Sequence, residues 1–546
     1  MTSDPSSSAI PLPPPCDDPR ISAVHPTRPW PWTRPVAPST SSSDASSPSS
    51  TTPLELVQVH YYIRHGERVP VRTRLLTANP PLPERWALCF TNAQPYSPTV
   101  LAAGESSKEA RSESMPILRV PESVEPTILM AGTPNPTGEG STRVSAPLRG
   151  ECLLGELTDR GRASTLKMGQ HLRSVYVDQL GLLPAKLARE DEGSGLLYVR
   201  STNMPRTTES ATQVIKGLLS LSQDHSSSLS SSPSQAYRPT IFIRNGHQES
   251  LLPNTYSCPT LARLDAHFSR QAARLLNPWL STLDPLIAPH LSKDGSVKLR
   301  VDGHPRLSGV TDSLRCAKAH SMPVPAPMRG QSEALDKMEA AVCAEWFGGY
   351  SAGRSGREEE AGDGEKSKVF RRLAMGPLLR DLQWCLDEKA ASSEVIAPGE
   401  NEKSEKVPLR MAIYSTHDTT LAGMLATLDL YDGRRWPAFT ASVGVELWKQ
   451  AGRQAQPQAS SGAEAQEART QHFVRLLYDG RPVRMPWCAP ASSPAADGGP
   501  ELCPLDMFRA KVNREVNEGR PRDAKSGKVL SWDEECVMGR GERSDK

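Results

Sequence analysis

A histidine between two arginines is the first segment whose residue types could perform chemistry. Arg64, His65 and Arg68 lie in RHGERVP, directly after an apolar and aromatic run, and Gly66 would let the backbone approach a ligand. Guanidinium groups pair with phosphate oxygens and remain charged. Their charge favours the neutral imidazole, which is the nucleophilic form of histidine. The segment therefore indicates either a phosphate-handling active site or a basic surface turn.

Two other polar segments also follow predicted strands. In YSTHDTT, His417 could donate a hydrogen bond to a phosphoryl oxygen and Asp418 could act as a general acid, although helix capping explains Asp418 equally well. In RSTNMPRTT, Arg206 adds a guanidinium at a strand-to-helix turn, which taken alone is better explained as a helix start. Together the three segments suit a doubly charged phosphate. No cluster of metal ligands accompanies them, so we expect neither a metal nor a cofactor.

The elements that must hold these segments alternate between strand and helix. Residues 54–63 form a nearly continuous run of apolar, β-branched and aromatic residues, which is typical of a buried parallel strand. Such alternation predicts an α/β fold with a mainly parallel central sheet flanked by helices, and ligands bind at the carboxyl ends of such strands. The other predicted strands are at 196–199, 240–243, 409–414, 442–448 and 472–478, with helices at 156–180, 206–221 and 419–430.

Several segments resemble those of the histidine acid phosphatases, a branch of the phosphoglycerate-mutase-like superfamily. RHGERVP resembles the family's RHGxRxP signature, STHDTT its HD motif, and YVRSTNMPRTTESA the arginine segment between them. LTDRGRASTLKMGQHLRSVY resembles a helix of the family, and LLPNTYSCP, TDSLRCAKAH and FVRLLYDGRPV fall in the expected order.

The resemblance implies a metal-independent phosphatase acting on a small phosphorylated substrate. His65 would attack phosphorus and become phosphohistidine, and Asp418 would protonate the leaving oxygen. The phosphoryl oxygens would be bound by Arg64, Arg68, Arg206 and His417. A mutase-type transferase would typically carry a glutamate in place of Asp418, and a non-catalytic phospho-ligand binder would be expected to have lost one of these residues. Both remain as alternatives.

The domain organisation implied by the resemblance has an α/β phosphatase domain at 53–235 and 405–546. A smaller, mostly helical cap at 236–404 would be inserted between them and would carry substrate selectivity. Residues 1–52 are rich in proline and serine and are predicted to form a disordered tail. Polar or low-complexity inserts predicted to be poorly ordered lie at 98–150, 222–235, 351–368, 391–407 and 451–470.

The cysteines carry a further implication of the resemblance. Cys258 and Cys536 resemble one disulfide pair of the family, and Cys488 and Cys503 resemble another. Cys316 matches half of a third pair, but Val443 stands near the expected position of its partner. These cysteines fit either an exported protein or an intracellular relative in which they are reduced, and we favour the second.

The charge and composition of the chain limit which partners and which cellular compartments the sequence predicts. The formal net charge is +2 with no basic stripe, so the sequence does not predict nucleic-acid binding. No run of about 18 apolar residues predicts a membrane span, and no ordinary signal peptide is evident, which together favour an intracellular location, cytoplasmic or organellar. Oligomeric state is left open by the composition.

The substrate is the least determined feature. STNMPRTTES and TDSLRCAKAH look somewhat closer to the lysophosphatidic acid phosphatase branch of the family. A phytase-like enzyme is the alternative within the family, but it should show a strongly basic cap, whereas acidic residues balance the basic ones in the 351–368 insert.

Overall fold

The computed structural model describes thirteen segments of the chain. They are residues 54–91, 149–188, 191–192, 194–220, 237, 239–330, 332–351, 361–394, 409–431, 435–450, 471–488, 502–523 and 525–538. The tail predicted at 1–52, the inserts at 222–235 and 451–470 and nearly all of the insert at 98–150 lie outside the described residues.

An eight-stranded sheet forms the centre of the fold. Its order is β3-β2-β4-β1-β5-β6-β7, and β8 also pairs with β6. The strands are β1 Leu54–Arg64, β2 Leu197–Ser201, β3 Ile241–Ile243, β4 Met411–Thr416, β5 Ser442–Gln450, β6 Gln471–Tyr478, β7 Arg481–Val483 and β8 Leu502–Pro504. The α/β class and the six strands expected from the sequence are thus confirmed.

The sheet is mixed, so the prediction of a mainly parallel sheet was wrong for one half of it. Strands β3, β2, β4 and β1 run parallel to one another, whereas β5 is antiparallel to β1 and to β6, and β6 is antiparallel to β7 and β8. Parallel neighbours require a long crossover, usually a helix. The sequence predicted no helix between the two late strands, and the alternation rule therefore did not apply to them.

Helices cover both faces of the sheet. They are α1 Asp159–Arg173, α2 Pro205–Leu219, α3 Pro259–Leu280, α4 Asp284–Leu291, α5 Leu307–Ala319, α6 Glu333–Ser351, α7 Ala361–Glu394, α8 Asp418–Thr427, α9 Leu505–Val516 and α10 Trp532–Val537. Alternate β1 side chains serve opposite cores: Tyr61 and Ile63 pack with α1 and α2, and Tyr62 packs with α7 and α8. This alternation is the period of two expected of a strand buried on both faces.

A separate apolar core is built mainly from residues that lie between β1 and α8 in the sequence. Buried residues of α4, α5 and α6, including Ile287, Val310, Leu314 and Val342, form it together with Val69, which follows the signature histidine. Helix α7, by contrast, contributes to the core of the sheet. A cap built mainly from α4, α5 and α6 is consistent with the predicted insertion, and its bounds at 236–404 stay a prediction.

Two predicted inserts are partly helical. Residues 361–368 and 391–394 belong to α7, so the expectation of poor order was wrong there. The glutamates, lysines and alanines of these segments are good helix formers, and we had taken their polarity as a sign of disorder. Asp363 also anchors the start of α7 to α3, since it accepts hydrogen bonds from His267 and from Gln271 at 3.0 and 2.8 Å.

Three disulfides occur among the described cysteines. Cys258 is bonded to Cys536, which ties the start of α3 to α10, and Cys488 is bonded to Cys503. A third bond joins Cys89 to Cys152 and had no counterpart in the sequence-based expectations. Cys316 is free and buried. No helix in the described part of the chain is long and apolar enough to span a bilayer.

Candidate active site

The ends of three neighbouring parallel strands bring the polar segments together. β4 pairs with β1 up to Arg64↔Thr416 and with β2 up to Ser201↔Ser415, so all three segments leave the sheet at one edge. The backbone N–H of His65 donates to the carbonyl of Thr416 at 3.0 Å, which extends this pairing into the signature loop. The carboxyl edge of the sheet is where α/β folds bind ligands.

His65 is buried, and one tautomer is fixed by its surroundings. Its Nδ1 lies 2.9 Å from the carbonyl oxygen of Gly66, which can only accept, so the proton sits on Nδ1. Nε2 therefore keeps its lone pair. Burial lowers the pKa of His65 well below its ordinary value, and the charges of Arg64, Arg68 and Arg206 lower it further. The imidazole is thus held neutral, as a nucleophile must be.

Two of the three arginines around His65 are paired with carboxylates. Arg64 Nη2 lies 2.8 Å from Asp418 Oδ2, and Arg68 Nη2 lies 2.8 Å from Asp312 Oδ1. Arg206 forms no ion pair with any carboxylate of the described residues, and its buried Nε has no hydrogen-bond partner. Burial and the charge of Arg68 lower the pKa of Arg206 to about 10. An unmatched guanidinium beside a neutral imidazole suits an incoming anion.

His417 and Asp418 occupy the start of α8. His417 Nε2 lies 2.9 Å from the hydroxyl of Thr202, which follows β2. Burial, followed by the charge of Arg206, lowers the pKa of His417 to about 3. Because this ring is also neutral, it can donate only one hydrogen bond at a time.

The carboxylate of Asp418 is held by three donors. Oδ2 accepts from Arg64 Nη2 and from Trp436 Nε1, each at 2.8 Å, and Oδ1 accepts from the backbone N–H of Thr419 at 2.8 Å. Burial alone would raise the pKa of Asp418, but the charge of Arg64 and the Trp436 hydrogen bond outweigh it and lower the pKa to about 2. Asp418 is therefore ionised at neutral and mildly acidic pH.

The comparison with known proteins agrees with this geometry. A model of the histidine phosphatase superfamily (branch 2) matches residues 55–479. The chain belongs to this superfamily. It is 31% identical to a probable acid phosphatase of Schizosaccharomyces pombe over 84% of this chain and 91% of the relative. It is 24% identical to 2-phosphoxylose phosphatase 1 of Danio rerio (85% and 79% covered) and to lysophosphatidic acid phosphatase type 6 of Pongo abelii (69% and 71%). The expected enzyme class, a phosphoric monoester hydrolase, is thereby confirmed.

In this histidine phosphatase, Gly66 also has a packing role that the sequence did not indicate. A Cβ at Gly66 would lie 2.5 Å from the carbonyl oxygen of Gly161, and a Cβ at Gly161 would lie 2.1 Å from that of Glu67. The two glycines therefore let the signature loop pack directly on the first turn of α1. The closeness that glycine permits serves the packing of this loop, and the expected close approach of the backbone to a ligand stays a prediction.

A loop before β5 contributes to the phosphatase site and was missed by sequence reasoning. The Pro437 carbonyl accepts from Arg64 Nη1 at 2.6 Å, and the Phe439 ring lies 4.1 Å from the Arg64 guanidinium carbon. Trp436, in the same loop, donates to Asp418. The segment RRWPAFT has two aromatic residues among basic ones, which was a weak signal without the fold.

Helix α5 supplies two further site residues that were not predicted. Asp312 makes a bidentate contact with Arg68, at 2.8 and 3.4 Å, and Arg315 lies over the ring of Trp436 at 4.4 Å. Both belong to TDSLRCAKAH, which had been noted only for its family resemblance. Within the described segments no group of three or more histidine, cysteine, aspartate or glutamate side chains could hold a metal ion.

Proposed function

We propose that this enzyme hydrolyses phosphate monoesters through a phosphohistidine intermediate on His65. The observation that carries the proposal is the His65–Gly66 hydrogen bond, which leaves Nε2 unprotonated among Arg64, Arg68 and Arg206. A neutral nucleophile surrounded by guanidinium groups is suited to attack a phosphoryl group whose charge those groups stabilise.

The reaction follows from these positions in two steps. In the first, the Nε2 lone pair of His65 forms a bond to phosphorus while the ester P–O bond breaks, and Asp418 gives its proton to the leaving oxygen. In the second, water attacks the phosphohistidine, Asp418 accepts a proton from it, and the P–N bond breaks with its electrons returning to Nε2. Arg64, Arg68, Arg206 and His417 hold the phosphoryl oxygens in both steps.

Asp418 must be protonated before it can act as an acid, and substrate binding favours this by raising its pKa. A bound phosphate brings negative charge close to the carboxylate and draws on Arg64, whose charge is the strongest influence lowering the pKa of Asp418. Both effects raise that pKa. Acidic solution would complete the protonation, so an aspartate that is ionised without substrate can still act as the acid of an acid phosphatase.

For the substrate we propose a phosphomonoester with an apolar tail, such as a lysophosphatidic acid. The apolar side chains of Val71, Leu153 and Leu154 are exposed. They lie in two segments beside the site that are joined to each other by backbone hydrogen bonds. Gly155 links them to it: a Cβ there would lie 3.3 Å from Val71 and 3.9 Å from Arg206 Nη1. A phytate-like substrate carries several phosphate groups and would need further unmatched cations beyond those that bind the reacting phosphoryl group.

The mechanism is tested with two variants, His65→Ala and Asp418→Asn, in excess chelator from acid to neutral pH. We expect turnover in the wild type, none in the first variant, and in the second a loss that is larger for alkyl than for 4-nitrophenyl phosphate. Nitrophenolate leaves without a proton, and an alkoxide does not. Turnover by folded His65→Ala protein would refute the histidine as nucleophile, and absence of turnover in the wild type would favour the binding-only alternative.

The substrate class is tested by comparing lysophosphatidic acid with glycerol 3-phosphate and phytate. Leu154→Ser should raise KM for lysophosphatidic acid several-fold and leave glycerol 3-phosphate unchanged, because Leu154 is 53% exposed and its loss removes only apolar contact area. Leu286→Ser, on α4 and 51% exposed, is the matched control. Faster turnover of phytate than of the other two substrates would support the phytase-like alternative.

We further propose an intracellular organelle with an oxidising lumen as the compartment. Three disulfides among the described residues would not persist in a reducing cytosol, and they argue against the reduced thiols favoured from sequence. Thiol labelling of the unfolded protein without reductant tests this, because Cys258 and Cys503 are buried in the native protein, and their modification would refute the disulfides.

A further inference from the structure

Trp436 contacts the atom on which the acid chemistry depends. Its Nε1–H donates to Asp418 Oδ2 at 2.8 Å, and Arg64 Nη2 reaches the same oxygen at 2.8 Å. These two bonds use both lone pairs of Oδ2. On Oδ1, the backbone N–H of Thr419 uses one lone pair and leaves the other. The proton that Asp418 delivers is therefore most readily carried on Oδ1 while Oδ2 is held in place.

The cap helices hold the indole from its other side. The Arg315 guanidinium of α5 lies over the ring at 4.4 Å and is itself fixed by a bidentate contact with Glu339 of α6. Phe347 and Trp346, also on α6, pack against the indole with ring centroids at 5.0 and 5.8 Å. A cation over an indole face draws electron density from the ring and makes its N–H a stronger donor.

We propose that Trp436 is a positioning residue for proton transfer, which holds the Asp418 carboxyl toward the leaving oxygen and is itself held by α5 and α6. This inference rests on the proposed role of Asp418 as the acid. When a phosphoryl group binds Arg64, Trp436 is the donor that remains on Oδ2. As the ester P–O bond breaks, its electron pair stays on the leaving oxygen, the Asp418 proton moves to that oxygen, and the new carboxylate keeps the Trp436 hydrogen bond.

Other charged or titratable groups also act on Asp418 and must stay unchanged in any test of Trp436. Those facing it from β1, the signature loop, α2, α5 and α8 are Arg64, Arg68, Arg206, Arg315 and His417. Trp436→Phe removes the N–H donor and keeps an aromatic ring for Arg315 and the α6 aromatics, so it alters none of these charges.

The experiment compares kcat for an alkyl phosphate and 4-nitrophenyl phosphate in Trp436→Phe. A hydrogen bond to a charged group is typically worth about a 10- to 100-fold change in rate. We expect a loss of about tenfold for the alkyl ester and less than threefold for the aryl ester. Because the variant lacks a hydrogen bond to the ionised carboxylate, the pKa of Asp418 rises, and the falling limb of the alkyl pH profile should move to higher pH.

Two variants serve as rescue and control. Trp436→Gln should recover part of the alkyl activity, because its amide nitrogen lies as many bonds from Cα as Nε1 of tryptophan and can donate to Asp418 without adding a charge. Trp487→Phe loses a bond of the same length, the 2.8 Å bond from Nε1 to the Leu428 carbonyl, and should show no discrimination between leaving groups.

Equal losses on both esters with an unmoved pH limb would overturn the inference, as would an unchanged Trp436→Phe enzyme. The inhibition constant of inorganic phosphate, expected to change less than threefold, shows whether the variant keeps a folded phosphate site. Failure of the proposed function is a different result: Asp418→Asn would then show no dependence on the leaving group. If Asp418→Asn shows that dependence and Trp436→Phe does not, only the role of Trp436 is refuted.

Discussion

The contact between α1 and the signature loop makes Gly161→Ala a sharp test of how the site is positioned. The added Cβ would lie 2.1 Å from the Glu67 carbonyl oxygen and 2.7 Å from a methyl carbon of Leu157. That oxygen cannot move freely, because it accepts from the Thr158 backbone N–H at 3.0 Å and from the Thr158 hydroxyl at 3.1 Å. Helix and loop must therefore separate by roughly 1 Å, taking Arg68 with them.

The expected size of the effect follows from two opposing terms. Overpacking of this kind costs about 1–3 kcal/mol, and replacing a helical glycine by alanine returns about 1 kcal/mol. We therefore expect a net loss of up to about 2 kcal/mol in the free energy of unfolding. A displacement of about 1 Å in catalytic groups can cost about 100-fold in rate. Urea unfolding and kcat/KM for 4-nitrophenyl phosphate measure the two effects.

Gly348→Ala is the matched control, since Gly348 lies within α6 and a Cβ there would meet nothing within 4 Å. We expect this variant to gain about 0.5–1 kcal/mol and to keep wild-type activity. If Gly161→Ala keeps kcat/KM within threefold of the wild type and is no less stable, the loop does not depend on this contact and the reasoning is wrong.

Three further predictions concern the arginine without a carboxylate, a buried histidine and a disulfide. Arg206→Leu should weaken phosphate inhibition by about 10- to 100-fold without lowering the unfolding midpoint, because no acidic partner is left behind; a marked loss of stability would contradict this. Burial lowers the pKa of His60 to about 3, so its contribution to stability is present above pH 6.5 and is lost as the pH falls toward 3. Between pH 6 and 4 the wild-type free energy of unfolding, measured in urea, should fall with falling pH, and His60→Gln should remove up to about 1.4 kcal/mol per pH unit of that dependence. Replacing the exposed His247 by glutamine should not remove it. Cys536→Ser should cost about 3–5 kcal/mol in urea unfolding, Cys385→Ser far less, and a reductant that leaves the wild-type midpoint unmoved would refute the bond.

The sequence was informative where one local pattern determines the structure. The run at 54–63 predicted β1 to within one residue, because a strand buried on both faces needs apolar side chains at nearly every position. The helix predicted from residue 156 begins at a residue type preferred for capping, since the side chain of Thr158 accepts from the Gly161 N–H. The antiparallel half of the sheet was missed, since pairing direction depends on which strands become neighbours.

The same distinction applies to the candidate site. The six predicted residues follow strand ends that the parallel half of the sheet places side by side, so their convergence could be expected from sequence. Asp312, Arg315 and Trp436 could not, because they reach the site only through the packing of α5 and of the loop before β5. A tryptophan or an aspartate in such a segment carries no local pattern that tells a site residue from a core or surface one.

Charge in this candidate site is matched unevenly, and in the proposed mechanism the imbalance lets one ligand both bind the site and raise the pKa of Asp418. Arg64 is paired with Asp418 and Arg68 with Asp312, whereas Arg206 has no acidic partner among the described residues. In the proposed mechanism, a phosphate dianion would meet one guanidinium that has no acidic partner and would gain a second by competing with Asp418 for Arg64. That competition would remove the strongest influence that keeps the pKa of Asp418 low. Asp312 does not take part in this exchange, so it can keep Arg68 oriented while Arg64 moves from Asp418 to the phosphate.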